Sequence, residues 1–175
     1  MFMSKKSGFL FLAIAVFLSF PGNVLRASEK PQEAMDRVRT FSIKILEKSL
    51  QSENAFIRSA AARAAGESEY SGLIPFLKKA AKDSYHTTRL FALQGIKKIS
   101  LDEARAISIH MSRDPNIWVR GAAIEMLGEL GDGALGNIIQ PHLKSPDRTV
   151  RYAAAGALFK LGDENQLDIL LDGLK

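Results

Sequence analysis

The apolar positions of this chain recur every 31 residues, and each period holds two helix-like stretches. Four successive copies can be aligned on a shared reference position. Seven places after it they carry Ala65, Ile96, Leu127 and Leu158, and ten places after it Ser68, Ile99, Leu130 and Leu161, which are mainly apolar. Such spacing places one stripe along one face of an α-helix. A second apolar group follows in each copy, such as Ile138 and Ile139 in the third. The pattern therefore predicts a helix pair in every copy.

An arginine occupies the reference position of each copy. The four are Arg58, Arg89, Arg120 and Arg151, and each lies in a similar helix start, of which Val119-Arg120-Gly121-Ala122-Ala123 is typical. Self-similarity at a fixed period of this length is the signature of a repeat architecture. We predict an all-α fold, an α-solenoid whose four units span residues 52–82, 83–113, 114–144 and 145–175.

Turn residues punctuate the copies at regular places. Gly131-Asp132 and Gly162-Asp163 follow the first helix of the third and fourth copies, where glycine favours the left-handed conformation that ends a helix and aspartate caps the next one. The second copy lacks this turn. Between copies stand Lys82-Asp83-Ser84, Arg113-Asp114-Pro115 and Ser145-Pro146-Asp147. There we expect aspartate or serine to cap the following helix and proline to fit its first turn.

One further helix is predicted upstream of the four copies, in residues 28–51. Its residues Ile43, Ile45 and Leu46 precede Ile74, Phe76 and Leu77 by 31 places, as the second helix of a degenerate unit would. Lys44, Glu47 and Lys48 make its outer face polar, as the terminal cap of a stacked array requires. The prediction is an N-terminal capping helix, and nine helices in total.

The run from Asp114 to Asp132 contains Asp-Pro, Val-Arg, Ala-Ala, Leu-Gly and Leu-Gly-Asp in that order, and it resembles the HEAT repeat of the short, PBS-lyase-like kind. The resemblance covers about residues 52–175 and is closest in the third and fourth copies. It implies a right-handed α-solenoid. Because this family serves mainly as a binding scaffold, the resemblance does not imply a reaction.

The first 27 residues have the layout of a secretory signal peptide. Lys5 and Lys6 precede an apolar run from Phe9 to Phe20, and Leu25-Arg26-Ala27 offers a cleavage site. The run of 12 residues is shorter than the roughly 20 that a membrane-spanning helix needs. We therefore predict export and a periplasmic or secreted location. An uncleaved leader that anchors the protein in the membrane is the alternative.

Composition narrows the partner and the compartment. The chain has no cysteine, which excludes disulfides and thiolate chemistry and, in an exported protein, favours a bacterial periplasm. Residues 28–175 carry 21 basic and 19 acidic side chains, so their net charge is only +2. So small a net charge gives no general reason to expect nucleic-acid binding.

The residues show no pattern that points to catalysis. His86, His110 and His142 have no second histidine or carboxylate at a ligand spacing on the same helix, and no Gly-x-Ser-x-Gly sequence is present. We predict no enzymatic activity, no metal and no cofactor. A lyase-like or metal-dependent accessory protein is the alternative, which a bound cofactor or metal in the purified protein would reveal.

The four arginines favour a structural ladder over a ligand-binding one. Asp83 and Asp114 precede Arg89 and Arg120 by six residues, Asp147 precedes Arg151 by four, and Asp83 follows Arg58 by 25. A planar guanidinium suits a partly buried pair with a carboxylate between stacked units. We therefore expect each arginine to pair with an acid of its own or the adjacent turn.

The second helices of such solenoids usually line the concave face, which makes their polar residues candidates for partner binding. The candidates are Lys78, Lys79, Lys82, Arg105, Arg113, Asn137, Gln140, Asp168 and Asp172. They run from basic to acidic along the chain. Residues 76–113 hold eight basic side chains against three acidic ones, which indicates an anionic partner there. A merely solvated helix face is the simpler alternative.

Two apolar features complete the candidates. Trp118 takes the slot of Phe56, Thr87 and Thr149, and a slot that accepts threonine is expected to be partly exposed, either as an interface anchor or as local packing. The last helix carries Leu167, Leu170, Leu171 and Leu174, which invite self-association. Together the features predict a non-catalytic, protein-binding scaffold or adaptor in the cell envelope. A self-assembling structural protein is a further alternative.

Overall fold

A computed structural model describes residues 31–172, and every regular element in that range is helical. The α-helices are α1 (Pro31–Ser49), α2 (Ala55–Glu67), α3 (Ile74–Ala80), α4 (His86–Ile99), α5 (Leu101–Met111), α6 (Ile117–Glu129), α7 (Gly136–Ile139), α8 (Arg148–Lys160) and α9 (Leu167–Asp172). Within the described residues this confirms the all-α fold and the number of helices expected. The predicted signal peptide, residues 1–27, lies outside that range.

The described part of the chain divides into two units, and the boundary between them lies within α1, after residue 46. Helix α1 has Glu33 in its first turn and Lys48 in its last, which suits the helix dipole. None of its residues is buried. Its assignment as the capping helix of a degenerate repeat stays a prediction.

The second unit consists of four helix pairs: α2 with α3, α4 with α5, α6 with α7, and α8 with α9. The first helices begin at Ala55, His86, Ile117 and Arg148, each 31 residues after the one before. Between the third and fourth pairs the largest buried side chains are those of Ile124, Leu127, Leu135, Ile139, Val150 and Leu158. This arrangement is a HEAT-like α-solenoid.

The turn inside each pair follows the sequence closely. Gly131 and Gly162 adopt the left-handed conformation, with φ of 69° and 95°, and the side chains of Asp132 and Asp163 accept hydrogen bonds from the amides two residues on, as predicted. In the first pair the same place is held by Glu69, whose φ of 52° is rare for a residue with a side chain.

The second pair dispenses with that turn. Its corresponding residue is Ser100, which is extended at φ −153° and whose side chain accepts a hydrogen bond from the amide of Glu103. Helix α5 therefore starts immediately after α4 ends. In the other pairs a 3₁₀ turn comes first, at Ser71–Leu73, Gly133–Leu135 and Glu164–Gln166.

The second helix of the third pair is shorter than the apolar pattern suggests. Helix α7 has only four residues and continues as a 3₁₀ helix at Gln140–Lys144. Pro141 explains the change, because proline has no amide hydrogen and its ring obstructs the carbonyl four residues earlier.

The prolines between copies lie two residues before the first helical residue, ahead of the helical turn in which they were expected. Pro115 and Pro146 stand ahead of the caps Asn116 and Asp147 and not in the first helical turn. Asn116 accepts from the amide of Trp118 at 3.0 Å, and Asp147 accepts from that of Val150 at 3.1 Å. The expectation that proline enters the helix was wrong, because a side chain that can cap follows each proline directly.

Candidate functional site

The arginines of the first two helix pairs each form an ion pair with an aspartate of the following unit. The Nε and Nη2 groups of Arg58 donate to the two carboxylate oxygens of Asp83 at 2.6 and 2.8 Å. Its Nη1 group donates to the carbonyls of Ser52 and Glu53 at 2.8 and 2.9 Å. One guanidinium thus fastens the loop that enters its own unit to the loop that enters the next.

Arg89 repeats this arrangement one unit further on. Its Nε and Nη2 groups donate to Asp114 at 2.7 and 2.6 Å, and Nη1 donates to the carbonyls of Asp83 and Ser84 at 2.8 and 3.1 Å. The side chains of Arg89 and Asp114 are only 12% and 6% exposed. Paired and satisfied charges at this depth fix geometry, and loss of one partner is costly.

Arg120 and Arg151 form the hydrogen bonds to backbone carbonyls but, among the described residues, none to a carboxylate. Nη1 of Arg120 donates to the carbonyl of Asp114 at 2.6 Å, and Nη1 of Arg151 donates to those of Ser145 and Pro146 at 2.8 and 2.9 Å. In the described range no carboxylate accepts from either guanidinium.

The ion pairs expected at these two arginines therefore do not form, and the reason is competition. Asp114 already gives its carboxylate to Arg89, and Asp147 caps α8 at the amide of Val150.

The basic segment 76–113 is partly neutralised by acids of the third pair. Arg89 reaches Asp114, Lys97 reaches Glu129, and Arg105 reaches Asp132. Lys78 also bonds Glu103 of α5 at 2.8 Å. These ion pairs therefore offset part of the positive charge that the sequence concentrates in residues 76–113. The pairs of Lys78, Lys97 and Arg105 are exposed, unlike that of the buried Arg89. Exposed pairs contribute roughly 0–1 kcal/mol, so these three side chains remain able to exchange partners.

Glu129 links three helix pairs through charge. It accepts from Lys97 of the second pair and from Lys160 of the fourth, the latter at 3.4 Å. The hydrogen bond from Lys97 is the main reason that the pKa of Glu129 lies below its ordinary value, and Lys160 adds to the effect against partial burial.

The predicted partner-binding residues all reach solvent where their side chains are described. The exposed set is Lys78, Lys79, Lys82, Arg105, Arg113, Trp118, Asn137, Gln140 and Asp168. The side chain of Asp172 lies outside the described part. Exposure satisfies one condition for a contact surface, and the assignment of these residues to binding stays a prediction.

Trp118 is 59% exposed, which confirms the expectation for its slot. It stands in the first turn of α6, whose other face buries Val119, Ile124 and Leu127. Phe56, in the same slot of α2, is 74% exposed and was not singled out from the sequence. The 31-residue register was the signal that could have identified it.

The fourth pair presents apolar surface and a cavity. Leu167 and Leu171 are 45% and 49% exposed, whereas Leu170 is half-buried; the predicted Leu174 lies outside the described residues. A cavity of about 310 Å³ is lined by Arg151, Tyr152, Asp168 and Ile169. A basic and an acidic side chain thus face one small space.

Within residues 31–172 no group of three or more histidine or acidic side chains is placed to hold a metal ion. His142 is the histidine with a distinctive environment. Partial burial lowers its pKa first, and the charges of Arg120 and Arg113 lower it further. In the same range, no helix combines the length and the apolar character needed to span a bilayer.

Comparison with known families agrees with the fold. The model of the HEAT repeat family matches residues 104–175, a stretch that takes in most of α5 and the third and fourth pairs. The match supports a HEAT-repeat protein, and such repeats generally mediate protein–protein interactions as non-catalytic scaffolds. Among curated proteins, none matches the sequence.

Proposed function

We propose that this protein is a non-catalytic scaffold that holds a partner protein in the cell envelope. The observation that carries the proposal is the exposed indole of Trp118, displayed by a helix of a HEAT-like solenoid within the stretch that matches the family. Tryptophan is enriched among the residues that dominate interface energies.

The support beneath Trp118 makes it a suitable anchor. Asn116 caps α6 directly below it, and Val119 and Ile124 are fully buried against neighbouring helices. A side chain on such a rigid base loses little conformational freedom on binding, so more of its contact energy appears as affinity. Asn137 in α7 and Gln140 at the start of the 3₁₀ helix that follows are exposed and offer polar contacts.

The envelope location rests on the sequence of residues 1–27. A basic start, a 12-residue apolar run and a cleavage site that ends in Ala27 favour export to the periplasm or beyond. Fractionation of cells that express the whole chain tests this part of the proposal separately. Recovery of the protein in the cytosol with its leader intact would contradict the proposed location.

Photo-crosslinking in intact cells tests the binding function. A photoreactive residue replaces Trp118 in one variant and Gln140 in another, and Thr149, in the equivalent slot of the next unit, serves as the matched position. We expect one and the same protein to be captured from position 118 or 140, and much less of it from 149. Absence of any specific product at both positions would contradict a scaffold that binds its partner at Trp118 or Gln140.

Self-assembly is the second candidate function, and the exposed Leu167 and Leu171 favour it. If it holds, molar mass rises with concentration in sedimentation experiments. Replacement of Leu171 by glutamate then returns the protein to a monomer, whereas replacement of the exposed Lys79 by glutamate does not. A mass independent of concentration excludes this candidate.

A further inference from the structure

The place of the missing carboxylate can be located from the repeat. Asp83 follows Arg58 by 25 residues and Asp114 follows Arg89 by 25, whereas the same step from Arg120 leads to Ser145. Serine is shorter than aspartate and has no negative charge. The boundary between the third and fourth units therefore lacks one carboxylate that the two earlier boundaries possess.

The backbone around Ser145 is nevertheless built as at the earlier boundaries. Its carbonyl accepts from Nη1 of Arg151 at 2.8 Å, just as the carbonyl of Asp83 accepts from Arg89 at 2.8 Å. Its hydroxyl accepts from the amide of Asp147 at 3.3 Å, the bond that Asp83 makes with the amide of Tyr85 at 2.8 Å. The boundary at Ser145 therefore differs from those at Asp83 and Asp114 in the missing carboxylate, while the backbone contacts around it are kept.

Arg120 supplies the matching donors. Its Nη1 group donates to the carbonyl of Asp114, six residues earlier, at 2.6 Å, as the Nη1 groups of Arg58 and Arg89 do to the carbonyls six residues before them. Its Nε and Nη2 groups are the pair that binds both carboxylate oxygens in those residues, and no described acid accepts from them here.

The surroundings of Arg120 are positive. Arg113 is exposed, and its charge together with that of Arg120 lowers the pKa of His142 after the effect of burial. No acidic side chain in the described range forms an ion pair with Arg113 or Arg120. A bound anion would relieve this repulsion.

We propose that the Nε and Nη2 groups of Arg120 bind a carboxylate of an acidic side chain of the partner protein, in the place that Asp83 and Asp114 occupy beside Arg58 and Arg89. The source of the carboxylate rests on the proposed scaffold function, whereas the binding site itself does not. Carboxylate is favoured over phosphate because the two equivalent arginines bind planar carboxylates through two parallel hydrogen bonds of 2.6–2.8 Å.

Nuclear magnetic resonance of the arginine side chains tests the site with a defined probe. N-acetylaspartate amide is titrated into the ¹⁵N-labelled protein at constant ionic strength, and the Nε–H resonances are followed. We expect a saturable shift at Arg120 and none at Arg89, whose donors already hold Asp114. Ser145→Asp supplies the missing carboxylate within the chain and should weaken probe binding at least tenfold, as should Arg120→Gln.

Several outcomes overturn the proposal. An Arg120 resonance that shifts without saturation, or one that shifts equally in Ser145→Asp, shows that the site does not bind carboxylate. Tighter binding of inorganic phosphate than of the aspartate probe overturns the choice of ligand. If the probe binds but Ser145→Asp leaves the affinity for a crosslinked partner unchanged, the carboxylate site holds and its use by the partner is refuted.

Discussion

Asp83 accepts four hydrogen bonds in the arginine ladder, as Asp114 does one unit further on. Its carboxylate accepts two hydrogen bonds from Arg58 and one from the amide of Tyr85, and its carbonyl accepts one from Arg89. Partial burial acts to raise the pKa of Asp83, but the hydrogen bonds from Arg58 and Tyr85 and the charges of Arg58 and Arg89 outweigh it, so the pKa lies below its ordinary value. Folding therefore favours the ionised carboxylate.

Replacement of Asp83 by asparagine should remove that stabilisation while keeping an acceptor for the amide of Tyr85. We expect the free energy of unfolding to fall by about 2–3 kcal/mol at neutral pH, the range for hydrogen bonds to charged groups. Because the folded pKa is lowered, the difference from the wild type should persist above about pH 4 and shrink as pH falls through the folded pKa. Urea unfolding at several pH values measures it.

Asp147→Asn provides the control, since Asp147 caps α8 without an arginine partner. It should change the free energy of unfolding by less than about 0.5 kcal/mol, because asparagine caps about as well as aspartate. Equal losses in the two variants would show that the charge of Asp83 and its pairing with Arg58 add nothing to stability.

Ser108 departs from the apolar pattern of the repeat. It stands where the other units have Leu77, Ile139 and Leu170, and its buried hydroxyl has no hydrogen-bond partner in the described structure. Ser108→Ala should raise the free energy of unfolding by about 1 kcal/mol, because it removes an unsatisfied polar group.

Ser112→Ala is the matched control, since the hydroxyl of Ser112 is bonded to the carbonyl of Ile109 at 2.8 Å. This variant should lose about 0.5–1.5 kcal/mol, measured by the same urea titration. A gain of stability in both variants, or a loss in both, would contradict the assignment of Ser108 as unsatisfied.

At the scale of the helices, first helices of neighbouring units approach through small residues. A Cβ atom on Gly66 would lie 2.3 Å from the Cα of Gly95, and one on Gly128 would lie 2.5 Å from the Cα of Ala157. These contacts join α2 to α4 and α6 to α8. Backbone lies against backbone there, so a neighbouring side chain cannot move aside to make room.

Gly66→Ala should therefore destabilise the protein by about 1–3 kcal/mol, the usual cost of overpacking, even though alanine favours the helix. Gly121→Ala is the matched control, because a Cβ at that position would meet only the Cβ of Ala153, at 3.9 Å. The control should be neutral or gain up to about 1 kcal/mol from helix propensity. Thermal unfolding of both variants distinguishes the two, and tolerance of Gly66→Ala would disprove the close crossing.

The helices were predictable where a local pattern decides them. The 31-residue register gave the starts of the four first helices, and Gly131 and Gly162 marked the turns. Pro141 indicated a short α7, but the apolar pattern around it favoured a longer helix. The pairing of the arginines was less predictable, because several acids lie near each one in sequence.

The sequence predicted an aspartate cap between copies, which Asp147 confirms. Only the fold shows that Asp114 is the partner of Arg89 and that Asn116 caps α6 in its place. The candidate partner-binding residues were predictable as exposed, since they alternate with core positions. Their binding partners depend on another molecule, which the sequence does not encode.

Across residues 47–172, stability is divided among the helix pairs and the boundaries between them, as in other repeat arrays. Three boundaries separate the four pairs, and an arginine stands at each. The first two boundaries are closed by Asp83 and Asp114, and the third, at Arg120, relies on an apolar cluster that includes Ile124 and Val150. Arg120 therefore contributes less to folding at the third boundary than Arg58 and Arg89 do at the first two, and it is available for binding.

A double-mutant cycle between Ser145→Asp and Arg120→Gln tests most directly whether Arg120 lacks only a carboxylate to form the pair found at the first two boundaries. The free energies of unfolding of the wild type, both single variants and the double variant give the coupling between residues 120 and 145. We expect Ser145→Asp to stabilise the protein only when Arg120 is present, with a coupling of about 1–3 kcal/mol. A coupling near zero would contradict the account, because it would mean that Arg120 is not placed to bind a carboxylate at this boundary.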